Sequence, residues 1–209
     1  MRTYSQHDSA ELSDEEIILL YKDGDQEVFK TLIARYSTPI YNFVVRLTNK
    51  NDASDIVQEI FIKVWKNIHR FDPLKASFKT WIFTIGRNTL TDFLRKRKSL
   101  LFSDIDKSTR SDLVEEENSF AENIPDENLL PEEALQKLQD SEFLNKILEK
   151  LRPGYREVLI LHYQEEMTFE EIGKILDKPQ NTVKSIHHRA ILEMRKIISA
   201  SPLQGEDLR

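Results

Sequence analysis

Along most of the chain, apolar residues recur every three or four positions, which is the spacing of a helix with one buried face. The pattern is clearest between residues 51 and 70, where apolar side chains form two neighbouring rows with an interval of four: Ile56, Ile60, Val64 and Ile68, and beside them Val57, Phe61 and Trp65. No long alternation of apolar and polar residues, the signature of a strand, is present. Glycine (5) and proline (7) are few. The sequence therefore predicts an all-α protein.

Capping residues, glycines and prolines mark boundaries that divide this pattern into separate helices. We expect helices at about residues 14–22, 26–48, 51–70, 77–98 and 133–150, another that begins at Pro153, and a final pair on either side of residues 177–181. Two of these starts carry the spacing of a capping box: Ser13 with Glu16, and Thr168 with Glu171. Pro39 lacks an amide donor and crowds the preceding turn, so we expect it to kink or divide the second helix.

Charge divides the chain in a similar way. The net charge is −6, but residues 29–102 hold 14 Lys and Arg against 5 Asp and Glu, whereas residues 103–142 hold 3 against 13. We expect two small helical domains, residues 1–98 and 133–209, joined by an acidic linker of residues 99–132. A basic module between acidic segments suits a polyanionic partner, although solvated helix faces would give the same count.

Several classes of protein are excluded by composition. The chain has no cysteine, so disulfides and thiolate metal sites are impossible. Its first residues lack the apolar run of a signal peptide. Its aliphatic clusters are much shorter than the roughly 20 residues of a membrane span. We expect a cytoplasmic protein without membrane insertion.

The final two helices, joined by the tight turn DKPQN, form a predicted helix-turn-helix. Helical spacing places Val183, Ala190 and Met194 on one face of the second helix, which we expect to be buried. The other face carries an amide, hydroxyls, an imidazole and cations, the groups that read base edges and contact phosphates. This predicted DNA surface comprises Asn181, Thr182, Lys184, Ser185 and His188, with Arg189 beside them.

The adjacent histidines, His187 and His188, raise the question of a metal or acid–base site. Neighbouring helix positions point about 100° apart, which argues against one ion bound by both rings, and His187 lies at the edge of the buried face. Zinc sites on helices use ligands three or four residues apart, and neither HExxH nor Glu-x-x-His occurs in the chain. We expect no catalytic residue, no metal and no cofactor.

The segment FDPLKASFKTWIFTIGRNTLTDFLRKRK mixes aromatic residues with cations, a combination typical of contacts with single-stranded nucleic acid. Its candidate phosphate contacts are Lys75, Lys79, Arg87, Arg95, Lys96, Arg97 and Lys98. Trp81 stands at helical steps from Phe78 and Ile85, and we assign it to the core.

These residues by themselves leave several functions open. A free-standing helix-turn-helix regulator would bind duplex DNA without a partner. An adaptor would use its helix-turn-helix for protein contacts only. An all-helical enzyme would need a convergent set of His, Asp or Glu side chains, and none is apparent.

Five motifs occur in succession along the chain: DASDIVQEIFIKVW, FKTWIFTIGRNTLTDFLRKRK, LRPGYREVLILHY, TFEEIGKIL and NTVKSIHHRA. Together they resemble bacterial RNA polymerase sigma factors of the small, two-domain extracytoplasmic-function group. The resemblance covers residues 15–98 and 133–198. It implies a non-catalytic subunit that binds core RNA polymerase and directs promoter-specific initiation, with sigma domains two and four at the two ends of the chain.

The resemblance also implies roles for particular residues. Residues 52–65 correspond to the surface that docks on the clamp coiled coil of the polymerase's largest subunit, which assigns core binding to Asp52, Asp55, Gln58, Glu59, Ile62 and Trp65. Residues 70–76 and the following helix correspond to the part that recognises the −10 element and holds the opened non-template strand, and they add Thr80 and Asn88 to the contacts. The helix-turn-helix corresponds to the reader of the −35 element, with Thr168 as a further contact. An anti-sigma protein is a frequent partner in this family.

Overall fold

The computed structural model describes residues 12–48, 50–102 and 142–200. These residues form two compact units, one on each side of residues 103–141. All regular elements within the described ranges are helical, which confirms the predicted all-α class and the presence of two small helical domains. The predicted acidic linker lies outside the described residues, apart from positions 99–102.

The described part of the N-terminal unit contains four α-helices and two short 3₁₀ turns. In chain order these are α1 (Asp14–Lys22), the 3₁₀ turn Gln26–Val28, α2 (Phe29–Leu47), α3 (Lys50–Asn67), the 3₁₀ turn Ile68–Arg70 and α4 (Phe78–Phe102). Helix α3 packs against both α2 and α4, and α1 packs against α2. The interior is aliphatic and aromatic, with Phe43 and Phe83 in edge-to-face contact at 5.4 Å between ring centroids.

The start of α1 follows the predicted capping box. The Ser13 hydroxyl accepts a hydrogen bond from the Glu16 amide at 3.3 Å, and the Glu16 carboxylate accepts one from the Ser13 amide at 2.8 Å. Two backbone amides that have no partner within the helix are satisfied in this way. The Glu16 carboxylate also accepts from the Ser13 hydroxyl at 2.8 Å, and its hydrogen bonds with the Ser13 amide and hydroxyl lower the pKa of Glu16.

Two helix boundaries differ from the predicted ones. Pro39 lies inside α2, which continues through it, so the helix is not divided. Tyr36 and Ile40 are buried on either side of this proline, and their packing outweighs the loss of one backbone hydrogen bond. Helix α4 continues past residue 98 to Phe102, because the sequence there contains neither glycine nor proline to end it.

The described part of the C-terminal unit is also built from helices. Its elements are α5 (Glu142–Lys150), α6 (Pro153–Leu159), a π-helical turn (Ile160–Gln164), α7 (Phe169–Leu176) and α8 (Gln180–Ser199). Pro153 begins α6, as predicted, at a position where its missing amide donor costs no hydrogen bond. Helix α8 packs against α5, α6 and α7. Of the helix predicted at 133–150, the part before residue 142 lies outside the described residues.

The turn between α7 and α8 brings the chain back onto the end of α7. Asp177 has a left-handed backbone conformation with φ 53°, and the Lys178 amide donates to the Gly173 carbonyl oxygen at 3.0 Å. A Cβ atom on Gly173 would lie 2.7 Å from the Lys178 carbonyl oxygen, well inside van der Waals contact. This turn therefore requires glycine at position 173.

Replacing Gly173 with alanine should destabilise the C-terminal unit by about 1–3 kcal/mol, because the atom it meets belongs to the backbone and cannot rotate away. Both tryptophans, Trp65 and Trp81, belong to the N-terminal unit. In the full chain, circular dichroism should therefore show a lower melting temperature for Gly173→Ala, while the melt followed by tryptophan fluorescence stays unchanged.

Gly154→Ala is the matched control for this experiment. Gly154 lies in the first turn of α6, and nothing is within 4 Å of a Cβ built on it. Alanine there should be neutral or slightly stabilising, because it reduces the freedom of the unfolded chain. Equal melting curves for the two variants would contradict the steric argument.

Helix α1 is fixed to α2 through a partly buried polar cluster. The Tyr36 hydroxyl donates to the Asp14 carboxylate, and Arg35 forms an ion pair with the same carboxylate. Arg35 Nη2 also donates to the Leu12 carbonyl oxygen at 2.9 Å. Burial of Tyr36, and then its hydrogen bond to Asp14, raise the pKa of its phenol above the ordinary value of 10.0.

The raised pKa of Tyr36 gives the N-terminal unit a pH dependence in the alkaline range. Its contribution to stability is fully present below the unfolded value of about 10 and is lost as the pH rises towards the folded value. Above pH 10, the free energy of unfolding of the wild-type chain should fall more steeply than that of Tyr36→Phe, by up to about 1.4 kcal/mol per pH unit. Urea unfolding followed by tryptophan fluorescence measures both slopes. The other tyrosines and the lysines are the same in both chains, so a difference between the slopes reports Tyr36. Equal slopes would contradict the raised pKa of Tyr36.

Candidate nucleic-acid and protein interfaces

The predicted core-binding residues lie mainly on the outer side of α3. The buried row of this helix consists of Ala53, Ile56, Ile60 and Val64. The opposite side, a sector of about 80°, carries Asp55, Gln58, Ile62 and Trp65, with Glu59 at its edge. Ile62 and Trp65 keep 50% and 53% of their surface exposed. Two large apolar side chains among acidic and amide groups are typical of a protein-binding surface.

Asp52, the remaining member of that set, lies on the flank of α3 that faces α4. It forms an ion pair with Arg97 at 2.5 Å. On the same flank, Lys63 pairs with Glu59 at 2.9 Å and donates to the Thr89 hydroxyl of α4 at 3.1 Å. The structure thus joins a predicted polymerase contact, Asp52, to a predicted DNA contact, Arg97.

The loop between α3 and α4 is anchored at its first residue. Phe71 is buried, and its ring centroid lies 5.6 Å from that of Phe78 and 5.5 Å from that of Trp81. Its carbonyl oxygen accepts a hydrogen bond from Lys22 Nζ at 3.1 Å. Trp81 belongs to this aromatic cluster, as predicted, but it keeps part of its surface exposed. The predicted phosphate contact Lys75 is exposed on the same loop.

The predicted DNA contacts on α4 point in more than one direction. Asn88 and Arg95 are seven residues apart, so they lie within about 20° of each other, and both are exposed. Lys96 is also exposed. Lys79 and Arg87 are partly buried. The exposed members of this set are therefore Asn88, Arg95, Lys96 and Arg97, the last of which pairs with Asp52.

Thr80 differs from the expectation that it contacts DNA. Its exposed fraction is 1%, and its hydroxyl lies 3.0 Å from the Ser77 hydroxyl. The same Ser77 oxygen accepts a hydrogen bond from the Thr80 amide at 3.2 Å. These bonds satisfy polar groups in the first turn of α4. We therefore assign Thr80 to the start of this helix and leave it out of the DNA surface.

The helix-turn-helix has its predicted buried face and a second capping box. Val183, Ala190 and Met194 are buried. At the start of α7, the Thr168 hydroxyl accepts from the Glu171 amide at 3.3 Å and donates to the Glu171 carboxylate at 2.8 Å. Thr168 is exposed, so this bonding leaves it accessible at the surface.

The predicted DNA contacts on α8 share one side of the helix. Within a sector of about 160° lie Asn181, Thr182, Lys184, Ser185, His188 and Arg189. The first three are exposed and the others are partly exposed. The Ser185 hydroxyl donates to the Asn181 carbonyl oxygen at 3.0 Å, and its oxygen remains a possible acceptor. The surface combines base-reading groups with cations.

His187 is packed inside the C-terminal unit, apart from His188. It is 6% exposed, and its Nε2 atom lies 3.0 Å from the Tyr163 hydroxyl. Its ring centroid is 5.1 Å from those of both His162 and Phe169. It therefore joins the π-helical turn to α7 and α8. The two adjacent histidines have different surroundings.

Two further features of the described residues concern ligands and membranes. Among them, no group of three or more His, Asp or Glu side chains is placed to hold a metal ion. No helix in these ranges is both long enough and apolar enough to cross a bilayer. An open cavity of about 480 Å³ lies at the turn of the helix-turn-helix, and Lys174 and Lys178 are among its lining residues.

Comparison with known proteins identifies the family. The model of Sigma-70 region 2 matches residues 32–100, and that of Sigma-70, region 4 matches residues 147–196. The ECF RNA polymerase sigma factor SigW of Bacillus subtilis is 35% identical over 176 residues, which are 84% of this chain and 91% of that protein. The chain belongs to the ECF RNA polymerase sigma factors. Region 2 thus falls within the N-terminal unit of this sigma factor, and region 4 within its C-terminal unit.

Other comparisons agree with this identification. The ECF RNA polymerase sigma-E factor of Escherichia coli K12 is 30% identical over 186 residues, which are 87% of this sigma factor and 92% of that protein. CnrH in complex with the cytosolic domain of CnrY has the same fold, with a TM-score of 0.61 and 21% identity over 90% of this chain and 98% of CnrH. RpoE in complex with the anti-sigma factor NepR from Bartonella quintana gives a TM-score of 0.60 and 22% identity, over 83% of this chain and 98% of RpoE.

Family membership confirms the predicted function. This sigma factor directs transcription initiation and recognises promoters through regions 2 and 4; it is not an enzyme. The roles of individual contact residues stay predictions. Sequence reasoning missed the ion pair that the exposed Arg97 forms with Asp52 of α3. Arg97 is seven residues from the buried Leu90, and this spacing was the signal that could have placed it beside a neighbouring helix.

Proposed function

We propose that this sigma factor docks on the clamp coiled coil of the largest polymerase subunit through the outer side of α3. The observation that carries this proposal is the exposure of Ile62 and Trp65, at 50% and 53%, on a helix whose opposite row is buried. Exposed large apolar side chains gain free energy when a partner covers them, and tryptophan is frequent among the residues that dominate binding.

Acidic and amide groups beside these two side chains would orient the sigma factor on the polymerase. Asp55 and Gln58 share their sector of α3, and Glu59 lies at its edge. A charged rim of this kind steers association and disfavours wrong partners more than it adds affinity. Asp52 is the outermost of the proposed contacts, since it lies on the flank and pairs with Arg97. The polymerase surface that fits this side of α3 is apolar at its centre and basic around it.

Residues 70–76 and α4 would recognise the −10 element and assist strand opening. Lys75, Arg95 and Lys96 are exposed cations that suit phosphates, and Asn88 offers an amide to a base edge. Lys79 and Arg87 would be secondary contacts in this region because they are partly buried. Arg97 is exposed but would first have to leave its ion pair with Asp52. An opened strand exposes its bases, which is the form of DNA that suits such a surface.

Helix α8 would read the −35 element from the major groove. Its N-terminal residues enter the groove in helix-turn-helix proteins, which places Asn181, Lys184 and Ser185 at base edges and phosphates. Beside these residues would lie Thr182, His188 and Arg189. Thr168 would contact the sugar–phosphate backbone of the DNA. Acidic residues, among them Glu166 and Glu170, are exposed close by in the sequence and weaken a purely electrostatic grip.

Two weak DNA contacts become selective when one scaffold carries both, because binding of the first raises the effective concentration of the second. Core polymerase is that scaffold in this proposal, and it also performs nucleotidyl transfer. The site of action is the cytoplasm. One relative in fold, RpoE, is bound to the anti-sigma factor NepR, and we extend this kind of partner to the present chain.

Reconstitution with core polymerase tests the proposed function as a whole. The purified chain should form a complex with the core enzyme and produce discrete run-off transcripts from genomic DNA fragments. Core enzyme alone is the control. A chain that fails to bind the core enzyme, or that occupies promoters equally well without it, would overturn the proposal.

The docking surface is tested by reversing two of its charges. Asp55→Arg/Glu59→Arg should lower the affinity for core polymerase by about tenfold or more, because like charges would face each other in the interface. Binding to labelled core enzyme and run-off transcription are the measurements. Both acids are exposed, so the melting temperature should stay close to that of the wild-type chain.

Asp23→Arg/Glu27→Arg provides a charge-matched control in the same unit, since both residues are exposed outside α3. It should bind the core enzyme like the wild-type chain. If the two double variants bind equally well, the outer side of α3 is not the docking surface.

The recognition helix offers a similar matched pair. Lys184→Ala should lower the affinity of the holoenzyme for the promoter by about 3–10-fold. It should also reduce the slope of log affinity against log salt concentration by about 1, the value expected for one lost phosphate contact. Lys196→Ala removes the same charge from an exposed position near the other end of α8 and should leave occupancy unchanged. Footprint titration of the −35 region at several salt concentrations compares them. Identical titrations would refute the proposed orientation of α8.

A further inference from the structure

The end of α1 contacts the base of the loop between α3 and α4. Lys22 Nζ donates a hydrogen bond to the Phe71 carbonyl oxygen at 3.1 Å, across 49 residues of sequence. Beside it, the ring centroid of Tyr21 lies 5.5 Å from that of His69. The match to Sigma-70 region 2 begins at residue 32, so α1 lies outside it. Lys22 is not among the residues proposed above to contact polymerase or DNA.

Phe71 is fixed through its ring, its amide and its carbonyl group. The ring packs against those of Phe78 and Trp81, and the amide donates to the Ile68 carbonyl oxygen at 3.1 Å. The carbonyl oxygen accepts the bond from Lys22, which is strengthened by the charge of the ammonium group. This last bond therefore fixes the rotation of the peptide group that joins residues 71 and 72.

The exposed turn of the loop begins at this peptide group. The Asp72 carboxylate accepts a hydrogen bond from the Leu74 amide at 3.0 Å, and the Asp72 carbonyl oxygen accepts one from the Lys75 amide at 3.1 Å. These bonds join the turn to itself, so its orientation is set where it leaves the core and where it returns. Rotation of the peptide group after Phe71 would move the turn together with Lys75, a proposed phosphate contact.

The charges around Lys22 favour a positioning role over a direct contact with phosphate. Residues 12–28 contain six Asp and Glu, and Lys22 is the single cation in that stretch of sequence. Such a stretch offers little attraction to a polyanion. One of the three donors of the Lys22 ammonium group is also committed to the Phe71 carbonyl oxygen.

We propose that Lys22 is a positioning residue for recognition of the −10 element. By holding the Phe71 carbonyl group, it fixes the direction in which residues 72–76 leave the core. Loss of this bond leaves the Phe71 ring buried and the fold intact, but it lets the turn take several orientations. A loop that has to be ordered on binding contributes less affinity for the correct sequence. This inference rests on the proposed role of residues 70–76.

The test measures how well the holoenzyme discriminates between −10 sequences. Two labelled forked templates with a single-stranded −10 region are compared by fluorescence anisotropy. One carries the −10 element of a promoter obtained by run-off transcription, and in the other the −10 bases are substituted.

Lys22→Met removes the ammonium group and keeps a side chain of similar length. It should lower the affinity for the first template about 5–10-fold and that for the second less than about twofold, so the ratio of the two affinities falls. The slope of log affinity against log salt concentration should stay unchanged, because no phosphate contact is lost. Lys22→Arg, which keeps a charged donor, should restore most of the ratio.

Lys30→Met is the matched control, since Lys30 is an exposed lysine of the same unit that pairs with Glu27. It should bind both templates like the wild-type chain. An unchanged affinity ratio for Lys22→Met would overturn the inference. Equal weakening on both templates, with the salt slope reduced by about 1, would overturn it as well and indicate a phosphate contact.

Two further outcomes separate this inference from neighbouring explanations. A parallel loss of affinity for core polymerase in Lys22→Met would overturn it, because it would indicate a structural role of Lys22 in the whole unit. Wild-type holoenzyme that shows no preference between the two templates would refute the proposed role of residues 70–76 itself. The failure of the inference and the failure of the proposed function are therefore distinguishable.

Discussion

The packing of α3 between α2 and α4 is the constraint on which the function of the N-terminal unit depends. Its buried row of Ala53, Ile56, Ile60 and Val64 fixes the rotation of the helix. That rotation leaves Ile62 and Trp65 on the outside, where about half of the surface of each stays exposed. It also brings Asp52 and Lys63 against α4, so that α3 carries the proposed polymerase contacts on one side and supports α4, the proposed DNA-binding helix, on its flank.

The loop before α4 depends on the same core. Phe71 and Phe78 pack together in the interior, and the chain between them has to leave the core and return within a few residues. This short excursion holds Leu74 and Lys75 in solvent on a fixed backbone. The surface that we propose for DNA is therefore preorganised, and ordering it would cost little free energy on binding.

In the C-terminal unit, the position of the proposed DNA-binding helix depends on a close approach between two stretches of backbone. Gly173 lets the turn after α7 fold back, which sets the direction in which α8 leaves it. The buried histidine at position 187 then fills the space between α8 and the π-helical turn, with Tyr163 as its hydrogen-bond partner. Helix α8, the proposed recognition helix, is held in this position, and the exposed Glu166 and Glu170 nearby in the sequence weaken its electrostatic attraction for DNA. Weak DNA contacts of this kind suit the proposed specificity subunit, in which the polymerase presents both of them together.

The helices, two of their starts and the family could be predicted from the sequence. Periodicity gave the helices, Ser13 and Thr168 marked two starts, and the order of five motifs indicated the family and its function. These features are local, or they repeat along one helix, so a single sequence reveals them. Helical spacing also sufficed to sort α8 into a buried row and a polar side.

Only the tertiary structure decided what depends on neighbours that are distant in sequence. Pro39 stays within an unbroken helix because packing on both sides outweighs one lost hydrogen bond. Thr80 is buried at a helix start although its residue type suits a DNA contact. Arg97 turns to Asp52, which is 45 residues earlier in the chain. In each case a side chain responds to the elements packed against it, and the periodicity of its own helix does not contain that information.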